Sequence, residues 1–543
     1  MTTQTVSEWV VNQLIIWGVR SVYGVPGDAI LPLVDSLNQN PKIMFYSVKH
    51  EATAAMMASA EAKLTGRLSV CTATSGPGVA NLINGLADAK SDRVPVLAIT
   101  GQVDSFNLTT DYKQYIDEDV LLKPVVAYSG LVTTPEAVDD VLLKAMRLAI
   151  SQGTTVSVAI AKDIWSQPTT DPFRQYEPYL TTSPLSSPFV IENAAKLMNE
   201  AERPAILAGR GIGPNGWHLA ELAHQWQSGI CLTMPAKGRI NGDNPLVLGG
   251  LGEGGSEAST TMLAEADLIL VAGATWAPPK YLPGSPRIIQ LDIEPGNIGR
   301  LMPVEYGVVG DLAVILPELT RNIVLKNRRT WTDRLKSLRN DWGKRLIAEY
   351  SQPNPENAPV QPAFLINTVE KVIAPDAIIA LDVGDHTVWF NRIFKGTNQK
   401  LLISGNWRTM GFGLPAALSA KIAQPEKQVV ALVGDGGLAQ SLADFLTAVR
   451  YRLPVTVIVF HNGYLAMEKD KMQTKGMNGE QLTITNPDFA GFADICGGKG
   501  FRVETAQSLE SILTEAVFSN VPAIVDVKTE AVPFPGIINT KQS

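Results

Sequence analysis

The chain has 543 residues, of which 45% are hydrophobic and 18% are charged, and its formal net charge is -7. This length is too great for one hydrophobic core and indicates about three or four domains. The acidic balance, without a lysine-rich run, argues against a nucleic-acid partner. The three cysteines are far apart with no CxxC spacing, and no apolar stretch reaches the ~20 residues of a membrane span, so we expect a cytoplasmic protein.

The N-terminus predicts an amphipathic helix capped near Thr5 or Ser7, without the basic leading segment of a signal peptide. Three segments then alternate short apolar strands with helical patterns, which predicts an α/β protein with three doubly wound parallel sheets. We expect domains over residues 1–170, 190–325 and 363–530, and the similar size of the first and third suggests duplicated folds. Linkers rich in Pro are predicted at 166–189 and 351–362. Strands are predicted near residues 21–23, 44–48, 68–72, 94–100, 156–161, 205–208, 268–272, 287–291, 377–381, 428–433, 455–460 and 523–527.

The third segment contains VVALVGDGGLAQSLADFLTAV (429–449), in which a buried strand gives way to a helix predicted over 438–449. The next strand ends in His461-Asn462-Gly463-Tyr464. A right-handed crossover brings both strand ends to one edge, so Asp435 and Asn462 should converge and offer oxygen ligands to Mg²⁺. The glycines would let backbone amides approach a diphosphate. A lone Gly-Asp-Gly is equally typical of a simple turn, but the later asparagine makes the pattern more specific.

The motif GDG with an asparagine at this spacing resembles the signature of thiamine-diphosphate enzymes. The resemblance implies that Asp435, Asn462 and the backbone carbonyl of Tyr464 bind Mg²⁺. It also implies that three glycines lie against thiamine diphosphate, namely Gly434, Gly436 and Gly437. The family usually has Asn-Asn where this chain has His461-Asn462, so one neighbouring contact should differ.

A second pattern is VKHEATAAMMASAEAKLTG (48–66), a strand end followed by an alanine-rich helix. A carboxylate in the first turn of a helix is stabilised by ~0.3–1 kcal/mol through the helix dipole, which is the structural alternative for Glu51. The resemblance implies instead that Glu51 hydrogen-bonds N1′ of the aminopyrimidine ring and promotes deprotonation of thiazolium C2. It also implies that the cofactor lies between two subunits, so we expect a homodimer or homotetramer.

Four further segments resemble the cofactor cleft of the family. Met410 is expected to wedge between the two cofactor rings, although a lone methionine is more often core filling. The segments, with their predicted cofactor-binding residues, are YGVPGDAILPL (23–33) with Pro26 and Gly27, CTATSGPGVANLINGLADA (71–89) with Gly76, DVGDHTVWF (382–390) with Gly384 and His386, and SGNWRTMGFGLPAALSAK (404–421) with Met410.

The central segment has a partial nucleotide-loop pattern in PAILAGRGIGPNG (204–216), with Gly209, Gly211 and Gly213 after a strand. Together with LILVAGATW (268–276) and 288–311, it resembles the FAD-binding segments of pyruvate oxidases and acetohydroxyacid synthases. The resemblance implies FAD contacts from Thr275, Asp292 and Asp311. The alternative is a central domain that holds an ADP moiety or nothing, as in related decarboxylases.

Among subfamilies the sequence most resembles pyruvate oxidases, notably the quinone-linked kind. This implies that a hydroxyethyl-thiamine intermediate formed from pyruvate, a 2-oxo acid, is oxidised by FAD, giving CO₂ and acetate or acetyl phosphate. The electron acceptor would be a quinone or oxygen. A non-oxidative carboligase or 2-oxoacid decarboxylase, such as an acetolactate synthase-like enzyme, is the alternative. A non-catalytic relative is disfavoured because Glu51 and the metal-ligand positions are retained.

Three features bear on substrate and location. Gln114, in DYKQYIDED (111–119), lies where the family often has Phe-Gln-Glu near the substrate. Glu468 and Lys471 stand where related oxidases often carry an aliphatic residue and a glutamate. No amphipathic helix follows Pro535, so we expect no stable membrane anchor and no strong activation by lipid.

Overall fold

The computed structural model describes residues 4–175, 184–275, 281–282, 286–300, 302–351 and 358–533. Three six-stranded sheets, each entirely parallel and flanked by helices, form the framework. This is the predicted α/β class with three doubly wound units. Within these ranges, no helix combines the length and the apolar character needed to cross a bilayer.

The first sheet has the strand order β3-β2-β4-β5-β7-β6, and a short antiparallel pair, β1 with β8, lies beside it. Its central strands are continuous apolar runs because helices cover both faces. The strands are β1 (Gln4–Thr5), β2 (Ser21–Gly24), β3 (Met44–Ser47), β4 (Ser69–Ala73), β5 (Val96–Gln102), β6 (Tyr128–Val132), β7 (Thr155–Ala161) and β8 (Pro168–Thr169). The helices are α1 (Val6–Ile16), α2 (Leu31–Gln39), α3 (Glu51–Thr65), α4 (Pro77–Ser91), α5 (Glu118–Leu122) and α6 (Val138–Gln152).

The central sheet has the order β11-β10-β9-β12-β13-β14, which is 3-2-1-4-5-6 in its own numbering. This is the order of dinucleotide-binding domains, which bind ligands where the winding direction reverses, between the first and fourth strands. The strands are β9 (Pro204–Ala208), β10 (Gly229–Leu232), β11 (Val247–Gly250), β12 (Leu268–Ala272), β13 (Arg287–Asp292) and β14 (Tyr306–Val309). The helices are α7 (Pro188–Glu200), α8 (Gly216–Trp226), α9 (Glu257–Glu265), α10 (Leu312–Asn322) and the connector α11 (Arg329–Tyr350).

The third sheet has the order β16-β15-β17-β18-β20-β19. The strands are β15 (Ile378–Leu381), β16 (Lys400–Ile403), β17 (Val429–Gly434), β18 (Thr456–His461), β19 (Lys499–Val503) and β20 (Ala523–Lys528). The helices are α12 (Pro362–Val372), α13 (Asp385–Ile393), α14 (Gly413–Ala423), α15 (Asp435–Ser441), α16 (Phe445–Arg450), α17 (Ala466–Thr474), α18 (Phe489–Ile495) and α19 (Ala506–Val517).

The first and third sheets share the order 2-1-3-4-6-5 in their own numbering, which agrees with the expected duplication. Helices α3 and α14, which follow the second strand of each sheet, pack against one another. Buried residues of the two sheets therefore form one hydrophobic cluster that joins the first and third units.

One helix prediction was wrong in detail. The segment predicted as a helix over 438–449 consists of α15, a 3-10 turn at Leu442–Asp444, and α16. Asp444 accepts hydrogen bonds from the Lys49 N–H and from the Thr447 hydroxyl, both at 2.8 Å. A tertiary contact to the first unit thus coincides with the break in the helix. Parts of the predicted linkers (176–183 and 352–357), Trp276 and the tail from 534 onward lie outside the described residues.

Candidate functional site

The loops after β17 and β18 meet at the carboxylate of Asp435. The two strands are direct parallel neighbours, as the crossover argument predicts. The N–H of Gly463 and the Nδ2 of Asn486 donate to Asp435 Oδ2 at 2.7 and 2.9 Å, while the N–H of Gly436 donates to Oδ1 at 2.9 Å. Asn462 lies beside Gly463, and its Oδ1 accepts the Tyr464 N–H at 3.0 Å. The structure therefore brings the three predicted metal-binding positions together.

The surroundings of Asp435 fit a divalent cation. Its side chain is buried, and burial raises its pKa although N–H donors oppose this shift; the largest influences on it include no lysine or arginine. A metal ion would stabilise the ionised form. Among the described residues, no group of three or more His, Cys, Asp or Glu side chains is arranged to hold a metal ion by itself. One carboxylate, one amide oxygen and one carbonyl suit Mg²⁺, which completes its octahedron with phosphate and water.

His461, the departure from the family pattern, turns toward the neighbouring strand. Its Nδ1 lies 2.8 Å from Asp526 Oδ1 on β20, and this hydrogen bond raises the pKa of His461. The ring also packs edge-on against Phe489. With histidine in place of the family's asparagine, residue 461 contacts β20 and Phe489. Asn462 still follows it at the predicted metal-ligand position.

The predicted diphosphate residues lie side by side at this edge. A Cβ on Gly434 would lie 3.3 Å from His386 Nδ1, and one on Gly384 would lie 3.0 Å from the same atom. His386 is buried, burial lowers its pKa to about 4, and its Nε2 has no hydrogen-bond partner among the described residues. A buried polar atom without a partner is the feature expected where a ligand belongs. A Cβ on Gly436 would lie 3.5 Å from Met410 Cε.

Glu51 lies at the corresponding edge of the first sheet, as the first residue of α3. His50 caps this helix through Nδ1, which accepts the Ala52 N–H at 3.1 Å. Glu51 is 8% exposed, and its Oε2 accepts a hydrogen bond of 2.9 Å from Asn81 Nδ2 on α4. Asn81 was not predicted as a site residue, although the segment 71–89 that contains it was expected to line the cofactor cleft. The one feature that could have indicated it is its position on α4, which packs on α3.

The other predicted residues of the first unit pack around the same edge. Gly76 has φ +67°, and a Cβ there would lie 2.7 Å from the carbonyl oxygen of Gln114, which itself has φ +63°. A Cβ on Gly27 would lie 2.5 Å from Thr74 Cβ, so the loop with Pro26 closes onto the turn with Gly76. Gly76 needs to be glycine because the Gln114 backbone approaches it and its φ is positive, whereas at Gly27 the Thr74 side chain occupies the space of a Cβ.

A cavity of about 370 Å³ opens where the three units meet. Every predicted FAD residue lines it, namely Gly209, Gly211, Thr275, Asp292 and Asp311. It extends to Val383, Thr387 and Met467 of the third unit, and basic side chains line it as well, among them Arg93, Arg210, Arg239, Lys400 and Arg408. It lies at the carboxyl edge of the central sheet, where dinucleotides bind in this strand order.

The glycines of this cavity have a packing role that the nucleotide-loop pattern did not predict. A Cβ on Gly209 would lie 2.2 Å from the Gly273 carbonyl oxygen, and one on Gly211 would lie 2.8 Å from Gly273 Cα. Asp292 Oδ1 accepts hydrogen bonds from Asn297 Nδ2 and the Glu294 N–H. Asp311 caps α10 through the Ala313 N–H at 2.8 Å. These residues shape the cavity as well as line it.

The two departures on α17 lie away from this cavity. Glu468 and Lys471 form an ion pair of 2.7 Å with each other, and their side chains are 56% and 45% exposed. Met467 is the residue of α17 that lines the cavity. The differences from related oxidases at Glu468 and Lys471 therefore lie on the exposed face of α17.

Three protein-family models match the chain, one for each of the three units. Residues 4–120, 191–319 and 382–527 match the N-terminal TPP binding domain, the central domain and the C-terminal TPP binding domain of thiamine pyrophosphate enzymes. Three relatives match over nearly their full length. A Bacillus subtilis protein named as thiamine pyrophosphate-containing protein YdaP is 35% identical (100% of this chain, 95% of the relative). The pyruvate oxidase of Lactiplantibacillus plantarum is 31% identical (95% and 87%), and acetolactate synthase isozyme 1 large subunit of Escherichia coli is 30% identical (99% and 97%). The chain therefore belongs to the thiamine pyrophosphate enzyme family.

Proposed function

We propose that this protein is a pyruvate oxidase that uses thiamine diphosphate, Mg²⁺ and FAD. Pyruvate would lose CO₂, and its remaining two-carbon unit would be oxidised by two electrons and released as acetate by water or as acetyl phosphate by phosphate. A quinone or oxygen would reoxidise the flavin. We further propose a cytoplasmic homodimer or homotetramer.

In this proposal the main residues of the site have separate roles. Asp435, Asn462 and the Tyr464 carbonyl hold Mg²⁺, and His386 lies against the diphosphate with the glycine turn. Thiamine diphosphate supplies a carbon nucleophile and an electron sink, and FAD accepts the electron pair. Glu51 exchanges a proton with N1′ of the aminopyrimidine, and Asn81 keeps its carboxylate in place. Burial of Glu51 limits competing hydrogen bonds from water.

The cavity between the three units supports the FAD part of the proposal, and the resemblance of the sequence motifs to pyruvate oxidases favours the oxidase. The walls of this cavity come from a sheet with the dinucleotide-binding strand order, and its far end is formed by Val383, Thr387 and Met467 beside the diphosphate turn. Gly209, Gly211 and Asp292 would hold a flavin dinucleotide here, and the flavin would supply a two-electron acceptor. The basic side chains around it suit a diphosphate bridge.

The second candidate is an acetolactate synthase-like carboligase. It is supported by relatives with that name at about 30% identity, and the cavity alone does not separate the two activities. Gln114, beside Gly76, is the residue we propose to lie nearest the 2-oxo acid in either case.

Anaerobic addition of pyruvate to the purified holoenzyme tests the choice. We expect a yellow protein whose flavin absorbance near 450 nm bleaches within seconds and returns with oxygen or a quinone. The matched control is Glu51→Gln, which should keep the flavin spectrum and lose the bleaching. Acetolactate formation without bleaching would replace the oxidase proposal with the carboligase.

A further inference from the structure

We propose that Asp382 is a positioning residue that sets the height of Met410 above the diphosphate turn, and so holds the thiamine cofactor in its bent form. This inference rests on the proposed placement of the cofactor. Asp382 directly follows β15 and is fully buried. It belongs to none of the cofactor-binding sets described above.

The carboxylate of Asp382 holds the segment that immediately follows Met410. The N–H of Gly411 donates to both of its oxygens, at 3.0 and 3.1 Å. The backbone N–H groups of Phe412 and Gly413 lie near enough to favour its ionised form. Gly411 has φ +80°, so the chain turns sharply at the residue where it is anchored. An amide held by both carboxylate oxygens, one residue after Met410, restricts the base of the Met410 side chain.

The same carboxylate lies against the diphosphate turn. A Cβ on Gly437 would lie 2.7 Å from Asp382 Oδ2. At the preceding glycine, Met410 Cε is 3.5 Å from the position of a Gly436 Cβ. Asp382 and Met410 therefore lie next to adjacent glycines of the turn, and Gly411 connects them.

The backbone of Asp382 joins the remaining parts of the edge. Its N–H donates to the Leu432 carbonyl at 2.9 Å, three residues before Asp435. Its carbonyl accepts the Thr387 hydroxyl at 2.9 Å, one residue after His386. One residue thus contacts the Met410 segment, the glycine turn, the strand that leads to the predicted metal ligand and the helix that carries His386.

The chemistry of the group indicates a geometric role rather than a contribution to stability. Burial raises the pKa of Asp382 to about 7, while the backbone N–H groups oppose this shift; no cation is among the influences on it from the described residues. Burying a carboxyl group without a cation partner is costly, and an apolar side chain of similar volume is often at least as stable. What an apolar residue cannot do is hold the Gly411 N–H, next to Met410, through two acceptor oxygens.

The test is the variant Asp382→Asn, in which one acceptor oxygen becomes an NH₂ group that opposes the backbone donors. We expect about tenfold weaker binding of thiamine diphosphate with Mg²⁺, measured by tryptophan fluorescence, and a loss of the near-ultraviolet circular dichroism signal of the bent cofactor. In a Met410→Leu background the same change should have little further effect, because Asp382 acts through Met410. No substrate or flavin is needed, so failure of the oxidase proposal leaves this test intact.

The matched control is Glu61→Gln on α3, a buried carboxyl group held by the hydroxyls of Ser21, Tyr23 and Ser69. It should lower the melting temperature without changing thiamine diphosphate affinity or the dichroism signal. The inference is overturned if Asp382→Asn binds the cofactor like the wild type, or if its effect adds fully to that of Met410→Leu. If Asp382→Asn does not fold, Gly437→Ala presses on the same carboxylate, and unchanged affinity and dichroism in that variant would overturn the inference.

Discussion

At the scale of single residues, Glu51 and Asp435 are held in different ways. Asp435 accepts three hydrogen bonds, from the adjacent Gly436, from Gly463 after β18 and from Asn486 before α18, which fix both of its oxygens. Glu51 stands at the start of α3, and Asn81 bonds to its Oε2. A metal ligand must keep its geometry, whereas an acid–base residue must exchange a proton with its partner. The two environments match the two proposed roles.

The substitution Glu51→Gln should leave cofactor binding intact and lower turnover by about 10²- to 10⁴-fold, because a glutamine cannot exchange the proton. Steady-state assays with saturating thiamine diphosphate and Mg²⁺, together with cofactor titration, measure the two effects separately. Glu61→Gln on the same helix is the control and should retain turnover. A Glu51→Gln enzyme with wild-type turnover would contradict the assignment.

Sequence patterns predicted those site residues that follow neighbouring strands, but not those brought in by loop contacts. Asn462 was found because it follows Asp435 across one crossover, a connection with a known hand. Asn486 bonds to the same carboxylate from 51 positions away. Its approach depends on loop pairing, in which Leu465 and Ile484 bond across to Leu482 and Gly463. No spacing rule connects such residues.

At the scale of elements, most strands missed from the sequence lie at sheet edges. The edge strands β6, β11, β14, β16 and β19 were not predicted, nor was β10 next to one edge. β16 and β19 both begin with lysine, and β10 has only four residues, beginning with glycine. β6, β14 and β19 are partly exposed, so their hydrophobic pattern is weaker than that of the central strands. β11 and β16 are mostly buried, but at four residues each they are too short for a clear pattern.

Glu118 anchors the loop that carries Gln114. The Thr100 hydroxyl and Gln102 Nε2 donate to its two oxygens, and Gln102 also donates to the Ile116 carbonyl at 2.9 Å. Burial raises the pKa of Glu118 from 4.5 to about 8. The folded state therefore retains a proton that the unfolded chain loses within this range.

The contribution of Glu118 to the free energy of unfolding should accordingly decrease as the pH rises from 4.5 to about 8, and no further above it. The slope contributed by Glu118 is at most about 1.4 kcal/mol per pH unit. Glu118→Gln cannot titrate and should remove this slope, as urea unfolding at several pH values would measure. The exposed Glu136→Gln is the control. Parallel pH profiles for the wild type and Glu118→Gln would contradict the prediction.

At the scale of the whole molecule, a buried ionic network joins the three units. Lys63 Nζ lies 2.6 Å from Asp88 and 2.7 Å from Asp92, and it donates to the Ile403 carbonyl at 3.0 Å. Asp92 accepts the N–H groups of Gly405 and Asn406, and its carbonyl accepts Arg210. This network lies at the cavity and at the start of the segment with Met410. The network therefore connects the central unit to the first and third units near the predicted cofactor cleft.

Co-expression of differently tagged Glu51→Gln and Asp435→Ala chains tests whether the site lies between subunits. Each variant alone should be nearly inactive. Hetero-oligomers purified through both tags should recover about half of the wild-type turnover per dimer, since one of the two sites then has both residues intact. Tagged wild-type chains, purified in the same way, give the reference. Absence of recovered activity would mean that one chain supplies both residues.

The first and third sheets share one strand order, and α3 packs on α14, so a single chain contains two units of equal topology. Glu51 and Met410 each lie in the connection that leaves the second strand of its sheet, at the start of α3 and shortly before α14. Gene duplication followed by divergence accounts for equivalent connections that carry different residues.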